Sequence, residues 1–425
     1  VAFCTLGCKV NQYESQSMEQ ALIKRGFECV GASEEADVYI VNSCTVTAES
    51  DRKTRQNVRH LRKLHPDAVI VLTGCMPQAF PKDARLLTQA DIVTGNRSNK
   101  QIPDMIDEFF RTRERIVRIA QHENGEKFSG ELINDFRERT RATVKIEDGC
   151  NRFCSYCVIP YARGRVRSKP LEDIREEISS LEKKGFSEII LVGINLSAYG
   201  TDCGASICDA VELAASFDGI KRVRLGSLEP DHMTPDVTKR LAECKKLCPQ
   251  FHISLQSGCD KTLKRMNRHY TAAEYEELCT RLRSEFEDAT LTTDVMVGFS
   301  GETKEDFEIS RDFVKKIGFE KVHVFPYSRR AGTRAAEFPD VVENAEKERR
   351  SREMIAAAGE VRHEFLERQI GRTVEVLFEE KLRDGSIQGY TANYTPVRIK
   401  SGCTHGLRKV KITACGDDWC EGELI

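Results

Sequence analysis

Three cysteines in the spacing C-x₃-C-x₂-C, Cys150, Cys154 and Cys157, follow an apolar, β-branched segment that begins at Val144. Thiolates are soft ligands, and clustered thiolates suit iron–sulfur clusters or zinc. A four-coordinate zinc site needs a fourth Cys or His close by; none occurs between Cys157 and Cys203. On a four-iron cube, three protein ligands leave one iron open to a substrate or cofactor. Tyr156 lies between two of the cysteines, where its ring can cover whatever binds. The plainer reading is a zinc knuckle or three buried thiols, because lone cysteines are usually small core residues. Three in one short loop, beside Gly149 and Asn151, do not follow a core pattern.

A second set is dispersed. Cys8, Cys44 and Cys75 each stand directly after a short strand-like run, in Leu6-Gly-Cys8-Lys, Asn42-Ser-Cys44-Thr and Thr73-Gly-Cys75-Met. In an open parallel sheet the loops after the strands share one edge, where ligands bind. The three would therefore converge as a second incomplete thiolate cage. The alternative is coincidence: small residues in tight turns. Cys4, inside the first strand, competes with Cys8, whose loop position matches the other two.

Composition bounds the rest. A chain of 425 residues implies two or three domains. With 65 Lys and Arg against 67 Asp and Glu, no global field favours nucleic acid, so any RNA site rests on local patches. No apolar run is long enough for a membrane span, and the start at Val1 lacks the basic and apolar regions of a signal peptide. Seventeen cysteines in such a chain point to a reducing, cytoplasmic setting and to metal ligation rather than disulfides.

The elements that must position these cysteines follow from periodicity. Residues 1–113 alternate short apolar strands with helices, which predicts an α/β domain with a parallel sheet covered on both faces. The predicted helices include 15–25 and the basic 47–65. Residues 114–140 read as a charged linker with a possible edge strand at 115–119. From Arg141 to 345 six strand–helix units, with strands near 143, 188, 222, 251, 291 and 321, predict a partial (β/α)₆ barrel. Chemistry in such barrels lies at the C-terminal strand ends, where Gly193, Asn195, Glu229, Ser254 and Gln256 fall, with Arg268 in the region that follows. A charged helix over 346–370 is expected to leave the barrel. Residues 371–425 carry five short strands, a small antiparallel β-barrel. There Arg398, Lys400 and Lys409, interleaved with Tyr390 and Tyr394, fit RNA tracking and stacking. An ordinary solvated β face, with Glu379, Glu380, Asp417 and Asp418 nearby, is the competing reading.

Taken together, Thr5-Leu-Gly-Cys8-Lys-Val-Asn-Gln-Tyr-Glu-Ser15, Asn42-Ser-Cys44-Thr-Val-Thr, Gly74-Cys75-Met-Pro-Gln, Gly149-Cys-Asn-Arg-Phe-Cys-Ser-Tyr-Cys-Val-Ile-Pro-Tyr-Ala-Arg-Gly164 and Asp294-Val-Met-Val-Gly-Phe-Ser-Gly-Glu-Thr303 resemble the motifs of the radical S-adenosylmethionine (SAM) methylthiotransferases. The C-terminal part resembles a TRAM domain, an RNA-binding module. The resemblance implies two [4Fe–4S] clusters. Cys150, Cys154 and Cys157 would hold the one whose open iron chelates SAM, and Cys8, Cys44 and Cys75 the one that carries sulfur. It implies reductive cleavage of SAM to a 5′-deoxyadenosyl radical, with a second SAM as methyl donor. With SAM as ligand, Asn195 would meet its amino-acid part, Arg268 its carboxylate and Glu229 its ribose hydroxyls; Ser254 and Gln256 would be further contacts, and Gly193 would allow close backbone approach.

Within that family Leu6–Asn11 and Ile159–Ser168 look most like the branch that converts N6-threonylcarbamoyladenosine 37 of tRNA to its 2-methylthio derivative. Other branches act on N6-isopentenyladenosine in tRNA or on an aspartate of a ribosomal protein. Met76-Pro77 departs from the commonest continuation without touching a ligand. The implied partners are a tRNA anticodon stem-loop, a low-potential electron donor such as flavodoxin or ferredoxin, and a sulfur source. A non-catalytic RNA-binding protein with structural metal sites is the reading from a different class; it predicts zinc, or four-ligand clusters that SAM does not perturb.

Overall fold

The computed structural model describes residues 1–130, 133, 141–402 and 406–425. Part of the expected linker, 131, 132 and 134–140, lies outside the described residues.

The N-terminal sheet has strands Ala2–Thr5, Val38–Ser43, Val69–Gly74, Ile92–Thr94 and Ile116–Arg118, all parallel and in chain order. Its second and third strands are buried throughout because both faces are covered. Helices Lys9–Ile23 and Ile102–Thr112 cover one face through Met18, Leu22, Ile102 and Ile106. Helix Ala48–Leu64 and the short Cys75–Ala79 and Pro81–Arg85 helices cover the other, through Val58, Met76 and Ala84. The connections after the first and second strands thus leave by opposite faces, which opens a crevice at the strand ends. The first helix begins at Lys9 rather than at the predicted Ser15. Its N-cap is Cys8, which makes no side-chain capping bond, so the usual Ser, Thr or Asp start signal is missing.

Six parallel strands build the partial barrel. Ala142–Lys145, Glu188–Val192 and Arg222–Leu225 form one sheet; Ser227–Leu228, Gln250–Ile253, Thr290–Val297 and Lys321–Pro326 form the other. Gly226 splits the third barrel strand, whose front half pairs backward and whose back half pairs forward. Helices Leu171–Lys183, Ile207–Ala215, Pro235–Ala242, Ala272–Glu285 and Lys304–Ile317 lie outside. The third ends at Ala242 rather than at the predicted Leu247, since the chain turns back so that Cys248 N–H bonds Val223 O.

Helix Asn344–Glu367 does not leave the barrel as expected. It lies along the last barrel strand and the helix before it, pinned by the buried pairs Arg350–Glu302 and Arg362–Glu320. The C-terminal strands Thr373–Lys381, Ile387–Thr391, Pro396–Ile399, Gly406–Cys415 and Cys420–Leu424 close a barrel of antiparallel pairs completed by one parallel pair, Val397 with Cys420. This barrel docks on the N-terminal ends of the partial-barrel strands. Arg224 donates to the Thr391 and Ala392 carbonyls (2.8 and 2.7 Å), and Arg222 to those of Glu375 and Tyr390. Among the described residues no helix is long and apolar enough to cross a membrane.

Candidate functional site

The dispersed cysteines meet at the crevice. A Cβ on Gly7 would lie 2.6 Å from Cys44 Cβ and 3.0 Å from its Sγ, so the loop that carries Cys8 rests on Cys44. Burial pushes the Cys75 thiol up to about 12; the Arg163 guanidinium opposes this, and the Cys44 and Cys8 thiolates add to it. Burial likewise raises Cys44, with Cys8 contributing. Gly74, at φ +98°, lets the third strand turn into Cys75, where a side chain would strike Ser43 backbone atoms at 2.4 and 2.5 Å. Cys4 faces elsewhere: it packs on the opposite-face core and accepts from Asn57 Nδ2 at 3.3 Å.

The second set follows the first barrel strand. Burial raises Cys150 to about 12 and Cys157 higher still, and the neighbouring Cys154 thiolate adds to both. Each Sγ has an N–H aimed at it: Arg152 N on Cys150 (3.5 Å), Ile159 N on Cys157 (3.4 Å) and Arg268 Nη1 on Cys154 (3.4 Å). Two pockets thus hold thiols that disfavour one another's charged form. A bound cation reverses that penalty and takes the thiolates as ligands. Both donor sets therefore fit an iron–sulfur cluster.

Arg163 joins the two sets. It ends the short helix Ile159–Arg163 that follows Cys157, and it is fully buried. Its Nε lies 3.2 Å from Cys75 Sγ, and its other nitrogens reach Asn11 Oδ1 and both Glu14 oxygens. Lys145 Nζ bridges Glu14 and Asp148, each at 2.8 Å. The basic neighbours Arg163 and Lys145 hold the Glu14 carboxyl below its usual range despite burial. On the other flank, Arg330 pairs with Asp51 of helix Ala48–Leu64 at 2.6 Å and bonds Thr45, the residue after Cys44.

The remaining candidates divide into groups. Around Cys154, Arg268 is paired with Glu229 and also donates to Ser254 O. Tyr156, Cys157 and Gln256 line a cavity of about 180 Å³ with Asp294, Met296 and Phe325, closed on the N-terminal side by Val46 and Thr47. Gln256 adopts φ +65°, with its N–H on Asp294 O and its carbonyl accepting from Met296 N. The Tyr156 ring meets Phe299 edge-on at 6.2 Å.

The Gly193 backbone lines the large cavity that also reaches Cys8, while its Cα faces a buried carboxyl. A Cβ there would lie 2.5 Å from Glu147 Oε2, so the glycine makes room for a buried carboxyl that sequence reading missed. Glu147 accepts from Asn195 N at 2.7 Å. Burial raises its pKa well above the usual carboxylate range. Asn195 Oδ1 is buried without a partner, which leaves an acceptor free for a ligand donor.

The C-terminal residues are less concentrated than their types suggested. Tyr390 and Tyr394 stack on each other at 4.5 Å under the Arg141 and Arg224 guanidiniums, at the docking face rather than in open solvent. Arg398 lies 3.6 Å over the Trp419 ring and bonds Gln388. Lys400 and Lys409 are exposed. Lys409 stands opposite Glu375, and Arg398 opposite Glu421, so acidic neighbours cut the local positive field.

Comparison with known proteins places these features in a family context. The Radical SAM superfamily pattern matches residues 144–314, and that of the Uncharacterized protein family UPF0004 matches residues 1–95. The chain is 35% identical to the threonylcarbamoyladenosine tRNA methylthiotransferase MtaB of Bacillus subtilis, covering 100% of this chain and 96% of that protein. It is 36% identical to the protein of the same name from Thermotoga maritima, over 99% and 96% of the two chains. It is also 36% identical to the tRNA-2-methylthio-N(6)-dimethylallyladenosine synthase of Pelotomaculum thermopropionicum, over 89% and 86%. In fold it is similar to the radical S-adenosylmethionine methyltransferase TsrM of Kitasatospora setae, with a TM-score of 0.54, 15% identity and coverage of 74% and 72%.

Proposed function

The chain belongs to the radical SAM tRNA methylthiotransferase family, and from that premise we propose that it converts N6-threonylcarbamoyladenosine 37 of tRNA to its 2-methylthio derivative. The observation that carries this reading is the pair of three-thiol sets, one at the strand ends of each sheet, joined by the single buried side chain of Arg163. The choice of nucleoside rests on the full-length relatives named for the threonylcarbamoyl substrate.

The C2–H bond of adenine is not acidic, so a proton-transfer enzyme has no route to it. A SAM-loaded iron–sulfur cluster on Cys150, Cys154 and Cys157 supplies hydrogen-abstracting radical chemistry, while the protein positions and insulates it. A second cluster on Cys8, Cys44 and Cys75 would hold the sulfur to be transferred. Arg163 fixes Cys75 and sets the spacing of the two sets through Glu14. Arg268, on Cys154, offers a guanidinium to a carboxylate, with Glu229 as its counter-charge in the free protein. Asn195 offers its unpaired Oδ1 to an ammonium or hydroxyl. Tyr156, Met296 and Phe325 put apolar surface around the small cavity and exclude water from it.

The test is nucleoside analysis of tRNA from a strain lacking this gene, with and without a plasmid copy. The 2-methylthio-threonylcarbamoyl nucleoside should vanish and return. Its persistence rejects the substrate, and loss of the isopentenyl-type derivative instead moves the protein to the other tRNA branch. Anaerobically reconstituted protein should hold about eight irons per chain, and Cys75→Ala and Cys154→Ala about four each. A colourless zinc protein ends the enzyme reading.

A further inference from the structure

Below Met296 and Phe325, the inward face of the last three barrel strands is polar, where a filled barrel carries branched aliphatics in layers. Along these strands alternate side chains point to opposite faces. Phe251, Leu291, Val295 and Val324 turn outward into or onto the main core. Gln250, His252, Thr292, Asp294, Lys321 and His323 turn the other way and line open space. All of these but Asp294 line a cavity of about 760 Å³ that runs from Cys8 past Gly193 to the Trp419 end of the C-terminal barrel; Asp294 lines the smaller cavity beside Cys157.

Three of these side chains form a row. Asp294 pairs in register with His323, and the ligand atoms of His252, Asp294 and His323 lie within 4.8 Å of one another. His252 shares a 3.0 Å hydrogen bond with Thr292 Oγ1 through Nδ1, which turns Nε2 to Asp294 Oδ2 at 3.4 Å. Lys321 stands on the same face of the strand as His323, exposed to the cavity. The row adjoins both cysteine sets: the large cavity, lined by His252 and His323, reaches Cys8, and Asp294 lines the small one beside Tyr156 and Cys157. In adenine, C2 and C6 flank N1. A base offered with C2 towards the cysteines therefore carries its N6 substituent down into the lumen.

We propose that His252, Asp294, Lys321 and His323 form the binding site for the N6 substituent of the target adenosine, and that it takes a substituent of the amino-acid class, with a carboxylate, a hydroxyl and an amide-type N–H. This rests on the adenosine 37 reading above. Lys321 and His323 meet the carboxylate, Asp294 accepts from the hydroxyl or N–H, and His252 holds Asp294 in place. A prenyl substituent would strip water from these groups and give nothing back. Sites built to hydrogen-bond a substrate group reject analogues that lack it far more strongly than apolar pockets reject a change of size.

The test compares reconstituted enzyme binding to two anticodon stem-loops, one with N6-threonylcarbamoyladenosine and one with plain adenosine at position 37. Wild type should prefer the first by about tenfold or more, and His323→Phe and Lys321→Met should each cut that preference by about fivefold or more. Lys321→Arg should retain it. Taking the ratio within each protein cancels any general loss of fold or RNA grip. A ratio unchanged in both variants, in an enzyme that still methylthiolates the threonylcarbamoyl RNA, overturns this site and leaves the function standing. A wild type that modifies isopentenyl RNA alone overturns the function reading and this site with it. One equivalent of a non-iron divalent metal, lost in His323→Phe, would assign the row to a metal and overturn the proposal.

Discussion

Removing the Arg163 guanidinium leaves Glu14 buried with Lys145 as its remaining close partner, and takes a donor from Cys75. Breaking one side of a buried ion pair typically costs about 3–5 kcal/mol. Arg163→Ala should therefore lower stability by about 3 kcal/mol in urea unfolding of the metal-free protein, since Lys145 covers part of the loss. Arg163→Lys tests position rather than charge. An ammonium has no planar fork, so it cannot face Glu14 and Cys75 together. That variant should keep most of the stability, yet bind about four irons instead of about eight after reconstitution. If it keeps all its iron, Arg163 is an interdomain pin with no hold on the second cysteine set.

At the scale of elements, helix Asn344–Glu367 is held to the barrel by two buried pairs whose carboxyls, Glu302 and Glu320, are pushed above the usual carboxylate range by burial despite their arginines. A raised carboxyl binds its proton more tightly when folded. Its stabilising effect is full below about pH 4.5 and fades as pH rises through the folded value. Arg350→Met should thus cost about 3 kcal/mol at pH 8, where Glu302 is left charged, and clearly less at pH 5, where Glu302 can take a proton. Equal losses at both pH values would mean that Glu302 is solvated. These helices and strands were largely legible in the sequence, because both faces of the parallel sheet are covered and the barrel helices carry start signals such as Thr271 and Thr303. The cysteines were legible for a related reason: each follows a strand, and strand ends share an edge. What the sequence hid was the reverse of a core pattern. His252 and His323 alternate with apolar neighbours, Asp294 stands between Thr293 and Val295 on the strand between them, and a search for apolar faces passes over the polar side that they make. Glu147 was hidden too, since one carboxyl at a strand end says nothing of the glycine that shelters it.

For the whole molecule, the C-terminal barrel is more than a tethered RNA module. Arg224 is buried, and its three donor positions go to Glu188, Thr391 O and Ala392 O. Thr290 Oγ1 bonds Asn393 O, and the Asn393 amide bonds Asp288 O, so the turn 390–393 plugs the N-terminal end of the partial barrel. Tyr390, Tyr394 and Trp419 thereby form the floor of the lumen that opens above towards Cys8. A module that served RNA alone would need no such buried arginines, and its exposed lysines would not face glutamates across the strands. Hydrogen bonds from a charged donor contribute about 1.5–3 kcal/mol each. Arg224→Met removes two across this interface while Glu188 keeps Arg141 and Arg222 nearby, at 3.7 Å. Wild type should unfold calorimetrically in one transition that includes both barrels, and Arg224→Met should split it, with the C-terminal barrel melting first. A single transition at an unchanged temperature in the variant would show that the floor is only resting against the barrel. In that case the lumen could open from below, and a nucleoside would have a second way in.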